Sequence, residues 1–484
     1  MAINLDDLFD DKDFNANVEK ADFLRNLQAN ILKGHGREHV ALIFLAVKDI
    51  DRARSFLRSY PVSNSFSQLE ETKKFKETGE PGELVRLVFL SKLGLDLFNK
   101  AEGLDDGPFI SGMRNDPDVL DSGNTGSWQA EFKQEERVTH VLLLLAYHLE
   151  DKLARSVGNL IDKVADKDNG FFELIFIQQG RAYKNGDGEG VEHFGYVDGR
   201  SQPLFLKSAY ESEKKARRGG VDIYDPAAPL SQFIFRDPLV DIKDSTINPD
   251  NCFGSYFVFR KLEQNVAGFK EEEEALAKKL DLEGSDEERA GAMVVGRFED
   301  GTPLVLHSKE DGVPVINNFN YEADLNGSKC PFHSHIRKTN PRRPEPVDEK
   351  GFADDLKRQM ARRGITYGTR LQHPDTKEFI DKPNDGVGLL FMSYQKSIED
   401  QFHFMQTQWA NNEFFPSFKK EDKDGIDPII GQASSPEAVL ANQKWLTEYG
   451  SAKGNKKEFL FKGFVSLKGG EYFYAPSISG LRTI

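Results

Sequence analysis

The segment Cys330-Pro331-Phe332-His333-Ser334-His335-Ile336-Arg337-Lys338-Thr339-Asn340-Pro341-Arg342-Arg343 joins a thiol, two imidazoles and a run of cations. Imidazole is the commonest metal ligand among side chains. A cationic run suits an anionic ligand such as a carboxylate or phosphate. A metal held inside an anionic organic ring would use both together. A closed zinc site is a poor match, because a second close pair of ligands is missing. His333 and His335 share a face on a strand but not on a helix, so spacing alone does not choose between them. The plain alternative is two ordinary polar residues in a loop.

Two further segments weigh against that alternative. In His193-Phe194-Gly195-Tyr196-Val197-Asp198-Gly199-Arg200-Ser201-Gln202-Pro203, two glycines bracket an acid. They leave the backbone room to approach a flat ligand. Alone, an Asp-Gly pair is usually a turn. In Ala361-Arg362-Arg363-Gly364-Ile365-Thr366-Tyr367-Gly368, two arginines precede a short apolar run. Alone, these would be surface cations.

Alternating elements must position these segments. His39–Val47, Leu84–Leu90, Val138–Tyr147 and Phe171–Gln178 read as strands. Asp49–Tyr60 and Leu149–Ala165 read as helices, which gives β-α-β-β-α-β, a ferredoxin-like order. The last half repeats that order loosely. Its strands are Ser255–Lys261, Ile365–Leu371, Gly388–Tyr394 and Phe464–Tyr474, and its helices are Glu271–Lys279 and Ile398–Trp409. Ala209–Asn251, rich in Pro, Asp and Gly, reads as a long loop or insertion. The Glu271–Glu274 run reads as a solvated helix face. Residues 1–208 and 252–484 are therefore expected to be two domains, with 209–251 as an insertion or linker.

The bulk numbers agree. A chain of 484 residues exceeds one ordinary core, and 38% hydrophobic residues with 37 Phe can build two. The net charge of −15, from 64 Lys plus Arg against 79 Asp plus Glu, argues against nucleic acid as a partner. Two cysteines require no oxidising compartment. The acidic start has no signal-like apolar run, and no segment is long enough to span a membrane. A cytoplasmic protein without a membrane or nucleic-acid partner is the expectation, and a homo-oligomer is compatible with it.

Together these segments resemble the dye-decolorising peroxidase family of haem enzymes. Gly195-Tyr196-Val197-Asp198-Gly199 is similar to its glycine–Asp–Gly signature, Cys330–Arg342 to its proximal-histidine segment, and Arg362-Arg363-Gly364 to its distal-arginine segment. Gln28–Arg37, Val295–Phe298, Gly388–Phe391 and Gly469–Phe473 extend the likeness, in family order, over nearly the whole chain. It is nearest to the larger members with long insertions. Phe298 stands where the family often has Trp.

The resemblance implies an α+β fold of two ferredoxin-like domains with antiparallel sheets, of the dimeric α+β barrel type. Haem b, iron protoporphyrin IX, would lie between the sheet and helices of the C-terminal domain. His335 would be the metal ligand, with Asp427 as candidate acceptor for its other nitrogen. Asp198 would move the peroxide proton and Arg362 would steady developing charge. Arg342 would pair with a haem propionate, and Gly199, Arg200, Ser201, Gln202, Leu389 and Phe391 would line the cofactor. The implied partners are hydrogen peroxide and small or bulky aromatic reductants, among them dyes and phenols. An aspartate base outlasts a histidine base, which protonates near pH 6.5, so activity on dyes should peak at acidic pH. Trp409 and Tyr367 are candidates to pass electrons to reductants too large for the pocket. The alternative is a haem-binding or iron-releasing protein with little turnover. The Asp198 and Arg362 pair argues for the peroxidase, since storage needs no acid–base group. No glycine–Ser–glycine elbow or phosphate-binding loop supports a hydrolase or a mononucleotide site.

Overall fold

The computed structural model describes residues 3–484 apart from 134–137, 218–221, 241–246, 311–316, 344–350, 417–422, 433–442, 452–454 and 462, with the backbone alone at 351–353. Its centre is a ten-stranded sheet whose ladder pairs are all antiparallel. The path runs Ile365–Tyr367, Gly388–Gln395, Phe253–Gln264, Val465–Ala475, Val85–Leu90, Val141–Tyr147, His39–Val47, Phe172–Arg181. Phe235–Arg236 and Ala361–Arg362 pair beside it.

Each half of the chain supplies one end of this sheet. The halves meet where Tyr474 pairs with Leu90. His39–Val47 is buried from Val40 to Ala46, as an unbroken apolar run demands when both faces are covered. The two outer ends also approach one another, because the Thr366 hydroxyl donates to the Arg181 carbonyl. Gly180 makes that approach feasible. A Cβ there would lie 2.8 Å from Ile365 Cγ2. The sheet thus curls toward a barrel. Stacked rings fill the interior, with Phe44 on Phe176 at 4.3 Å within the first half and Phe89 on Phe257 at 4.1 Å between the two halves. Burying each such ring contributes about 1.5–3 kcal/mol.

Four readings need correction. The strand expected over Ile365–Leu371 ends at Tyr367. Gly368 turns the chain there at φ 86°, and a Cβ would meet the Gly386 carbonyl at 2.3 Å. The helix over Ile398–Trp409 is wound as two π-helical segments, Ile398–His403 and Met405–Ala410. Such wide turns often sit at functional sites. The presumed loop from Ala209 begins inside an α-helix, Lys207–Ala216, whose alanine and charged residues suit a helix. Parts of that loop, 218–221 and 241–246, lie outside the described residues. The Glu271–Glu274 run is not wholly solvated. Glu273 turns inward, where Tyr196 and the Lys270 ammonium bind it. Among the described residues no helix is long and apolar enough to cross a membrane.

Candidate active site

A cavity of about 530 Å³ lies where both halves contribute walls. That volume suits a cofactor or small-molecule site. Asn30, His35, Arg37 and the segment from Val197 to Pro203 come from the first half. Leu389, Phe391, Met405, His335 and Arg362 come from the second.

His335 opens the short helix His335–Thr339 and lines the cavity. The preceding Ser334 hydroxyl donates to the Met293 carbonyl, which pins the helix start to Arg289–Val295. That second helix ends on Gly296 at φ 99°, and a Cβ there would stand 3.1 Å from Ile336 Cβ. His335 Nδ1 lies 2.8 Å from Asp427 Oδ2. Asp427 is buried, and its other oxygen accepts from the backbone of Ile429 at 2.8 Å and Ile430 at 3.0 Å. A carboxylate so held fixes the imidazole with its proton on Nδ1, leaving the Nε2 lone pair for a metal. His333 goes elsewhere. It is buried, bonds the Asp424 carbonyl through Nδ1 and meets the Trp445 ring edge-on at 4.4 Å. Burial pushes its pKa down to about 3. The structure therefore separates the two histidines that spacing left equivalent.

Asp198 lines the cavity and is exposed, directly before Gly199 at φ 75°. Among the described residues its carboxylate has no ion-pair partner. Arg362, on Ala361–Arg362, reaches the same loop: Nη2 donates to the Arg200 carbonyl at 2.6 Å, and its backbone N–H to Gln202 at 3.2 Å. Arg363 anchors the segment to the Asn30 and Ile31 carbonyls, both at 2.7 Å. Gly199, Arg200, Ser201 and Gln202 all line the cavity. So do Leu389 and Phe391, which alternate with the buried Leu390 and Met392 along their strand.

Arg342 is not brought to the wall. Its guanidinium is buried, stacked 3.7 Å from the Tyr224 ring centre and 4.1 Å from that of Phe319. It donates to the Asn317 and Phe319 carbonyls and, at 2.8 Å, to the Ser201 hydroxyl. It meets the cavity only through Ser201. Trp409 and Tyr367 are both buried and line no part of it. Trp409 stacks on Phe415 at 5.2 Å.

Several wall residues escaped sequence reasoning. Met405, Ile429, Ile430 and Arg358 belong to no recognisable local pattern. Glu192 is another, although it adjoins His193. Its carboxylate accepts from the backbone of Phe194 at 2.9 Å and Tyr196 at 3.0 Å, and from the Gln264 amide. Burial raises its pKa to about 7, against the lowering effect of those donors. The folded chain thus holds a proton on Glu192 between about pH 4.3, the unfolded value, and 7, so stability should fall as pH rises through that window. Glu192→Gln should remove roughly 2 kcal/mol of the stability change across that window, less than the full equivalent of the shift because the group borders an open cavity. Denaturant midpoints measured from pH 4 to pH 8 would check this, and an unchanged slope would assign the titration elsewhere.

Fold and cavity together define an α+β barrel protein that presents a carboxylate-backed histidine to a cation-rich pocket. Known proteins narrow the class. Residues 26–169 match the family model described as the DyP dimeric alpha+beta barrel domain. The multifunctional dye peroxidase DyP2 of Amycolatopsis sp. is 39% identical over 475 residues, 97% of each chain. The dye-decolorizing peroxidase msp1 of Mycetinis scorodonius is 29% identical over 95% of this chain and 87% of its own. The solved structure of DyP2 superposes with a TM-score of 0.88 at 37% identity, covering 100% of both chains. That of the DyP-type peroxidase of Anabaena sp. gives 0.85 at 35% identity, covering 99% of this chain and 98% of that one. The chain belongs to the dye-decolorising peroxidase family and is a haem-dependent peroxidase of that type.

Proposed function

We propose that this peroxidase reduces hydrogen peroxide and oxidises dyes, phenols and other bulky aromatic reductants, with His335 as iron ligand, Asp198 as acid–base group and Arg362 as charge stabiliser. The observation that carries the reading is one cavity lined by the Asp427-backed His335, by Asp198 and by Arg362. The residues present fit a haem. Nε2 of His335 is a neutral donor for iron, Leu389, Phe391, Met405, Ile429 and Ile430 offer apolar surface to a flat ring, and Arg200, Arg362 and Arg363 offer charge to carboxylates.

Bound there, haem would supply the iron centre at which peroxide accepts electrons. With the group in place, Asp198 would take a proton from one peroxide oxygen and return it to the other, which would leave as water. Its exposed carboxylate, without an ion-pair partner among the described residues, is available for both transfers. Arg362 is held toward the Asp198 loop by the Arg200 carbonyl, and its guanidinium stabilises negative charge growing on the departing oxygen. Leu389 and Phe391 keep that space dry, which strengthens both effects. Arg342 and Arg297 both bond Ser201 and so set the wall at that point. The domain division at 209–251 stands as part of the same proposal, since each half forms one end of the sheet and one side of the cavity.

Titration with hemin tests the reading. A strong Soret band should form, shift on adding peroxide, and return as an aromatic dye is bleached. A preparation that stays colourless after hemin would overturn it.

A further inference from the structure

Away from the cavity, Asp116, Asp118 and His403 bring one oxygen or nitrogen each within 4.8 Å of one another. A buried phenol joins this group. Tyr472 donates its hydroxyl hydrogen to Asp116 Oδ2 at 2.9 Å. Asp116 Oδ1 lies 3.3 Å from His403 Nε2. Tyr472 is 1% exposed and Asp116 8%, whereas His403 reaches the surface with 23% of its side chain.

The same tyrosine is linked to the cavity by rings. Tyr472 lies 6.1 Å from Phe402, edge to face, and Phe402 lies 5.9 Å from Phe391. Phe391 lines the cavity. Three rings therefore run from the cavity wall to a carboxylate–histidine pair that ends at solvent.

A buried tyrosine hydroxyl usually finds some acceptor, often a carbonyl. Here the acceptor is a carboxylate, with a histidine behind it. The difference matters when the ring loses an electron. A phenol that has lost an electron is a strong acid, and in apolar surroundings its charge is costly unless the proton leaves at once. Asp116 is already hydrogen-bonded to receive it. Among the described residues, Asp118, Glu399, Glu471 and Arg260 face the pair. Asp118 and Glu399 face His403, and with Asp116 they favour its protonated form. Arg260 faces Tyr472 from the neighbouring strand, 5.5 Å over Phe402, and bonds Gln406 and the Val119 carbonyl. Its fixed positive charge opposes a cationic ring and so favours loss of the proton together with the electron.

We infer that Tyr472 is a redox-active residue of this peroxidase, serving reductants too bulky for the cavity, with Asp116, held by His403, as its proton acceptor. The inference rests on the peroxidase reading. In the forward step the Tyr472 O–H bond breaks. The electron passes through Phe402 and Phe391 toward the cavity, where peroxide has withdrawn electrons, and the proton moves to Asp116 Oδ2. A neutral phenoxyl remains. An aromatic reductant near His403 then gives up one electron, and the proton returns from Asp116 to re-form the O–H bond. Two such cycles supply the two electrons that one peroxide takes in becoming two waters; the two protons it also takes come through solvent, which gains an equal number from the oxidised phenolic reductants.

Rapid-freeze electron paramagnetic resonance on the haem-loaded enzyme after peroxide tests this. The spectrum should contain a phenoxyl signal that narrows when tyrosine is ring-deuterated. Tyr472→Phe should remove most of that signal. It should also lower kcat/KM for a bulky anthraquinone dye about tenfold while leaving a small phenol within about twofold. Asp116→Asn keeps the ring but removes the base, so its phenoxyl yield should also fall with the haem absorption unaltered. That variant decides the matter if Tyr472→Phe fails to fold. An unchanged phenoxyl signal and unchanged dye turnover in the folded variants would overturn the inference alone. An enzyme that binds haem but consumes no peroxide would overturn the peroxidase reading and this inference with it.

Discussion

Asp198→Asn should lower kcat/KM for hydrogen peroxide by about 10²–10⁴-fold, the range that a positioned proton-transfer group contributes. Haem uptake should stay intact. The substitution preserves volume and leaves the backbone N–H of residue 198 on the Gly190 carbonyl, at 2.9 Å. It removes the one property the reaction needs there, a carboxylate that can hold a proton and release it. Asp198 carries no structural ion pair among the described residues, so asparagine abandons no buried partner. Folding and absorption should match the parent, while the peroxide-induced spectral change slows. Stopped-flow mixing with peroxide reads that change directly. Unchanged kinetics would remove Asp198 from the proton transfer and leave Arg362 to be tested as the dominant group.

His335→Ala should have the largest effect on cofactor retention. Without the imidazole the pocket keeps its apolar walls and its arginines, so a porphyrin ring can still enter. The iron then has no protein nitrogen, and the Soret band of the as-purified protein should be lost or strongly shifted. Asp427→Asn provides the graded companion. The hydrogen bond at 2.8 Å holds the imidazole and raises its basicity. Losing the charge should weaken iron binding or activity about 10–100-fold, as for other partners of metal-bound histidines. The Asn variant can keep bonds from Ile429 and Ile430 to its remaining oxygen, so its fold should survive. Hemin titration of the three proteins should rank parent, Asp427→Asn and His335→Ala in falling affinity. A variant at His335 that retains parental absorption would move the ligand assignment elsewhere.

How far local pattern reaches is visible in single elements. His39–Val47 was legible residue for residue, because a long apolar run with both faces buried needs no other information. Gly388–Gln395 was legible to within one residue, and its alternation put Leu389 and Phe391 on one side. Ile365–Leu371 was read four residues too long. β-propensity does not register that Gly368 must turn so that Gly386 can pass close by. Ile398–Trp409 has helical periodicity, but nothing local announces the wider π winding that carries Met405 to the cavity. Glu273 lies in a run of glutamates that looks solvated. Only the arrival of Tyr196 and Lys270 from other segments turns it inward.

The order of residues along the chain was enough for the class of fold, the family likeness and the chemical types needed at the site. Those depend on periodicity and on short motifs, which are local properties. Choosing His335 rather than His333 on structural grounds, locking Asp427 behind it and holding Arg342 one residue short of the wall required the folded molecule. Each depends on which atoms, distant in sequence, come within about 3 Å of one another, and hydrogen-bond strength falls away steeply beyond that distance. The same holds for the line of rings from Phe391 to Tyr472, whose members come from three separate elements.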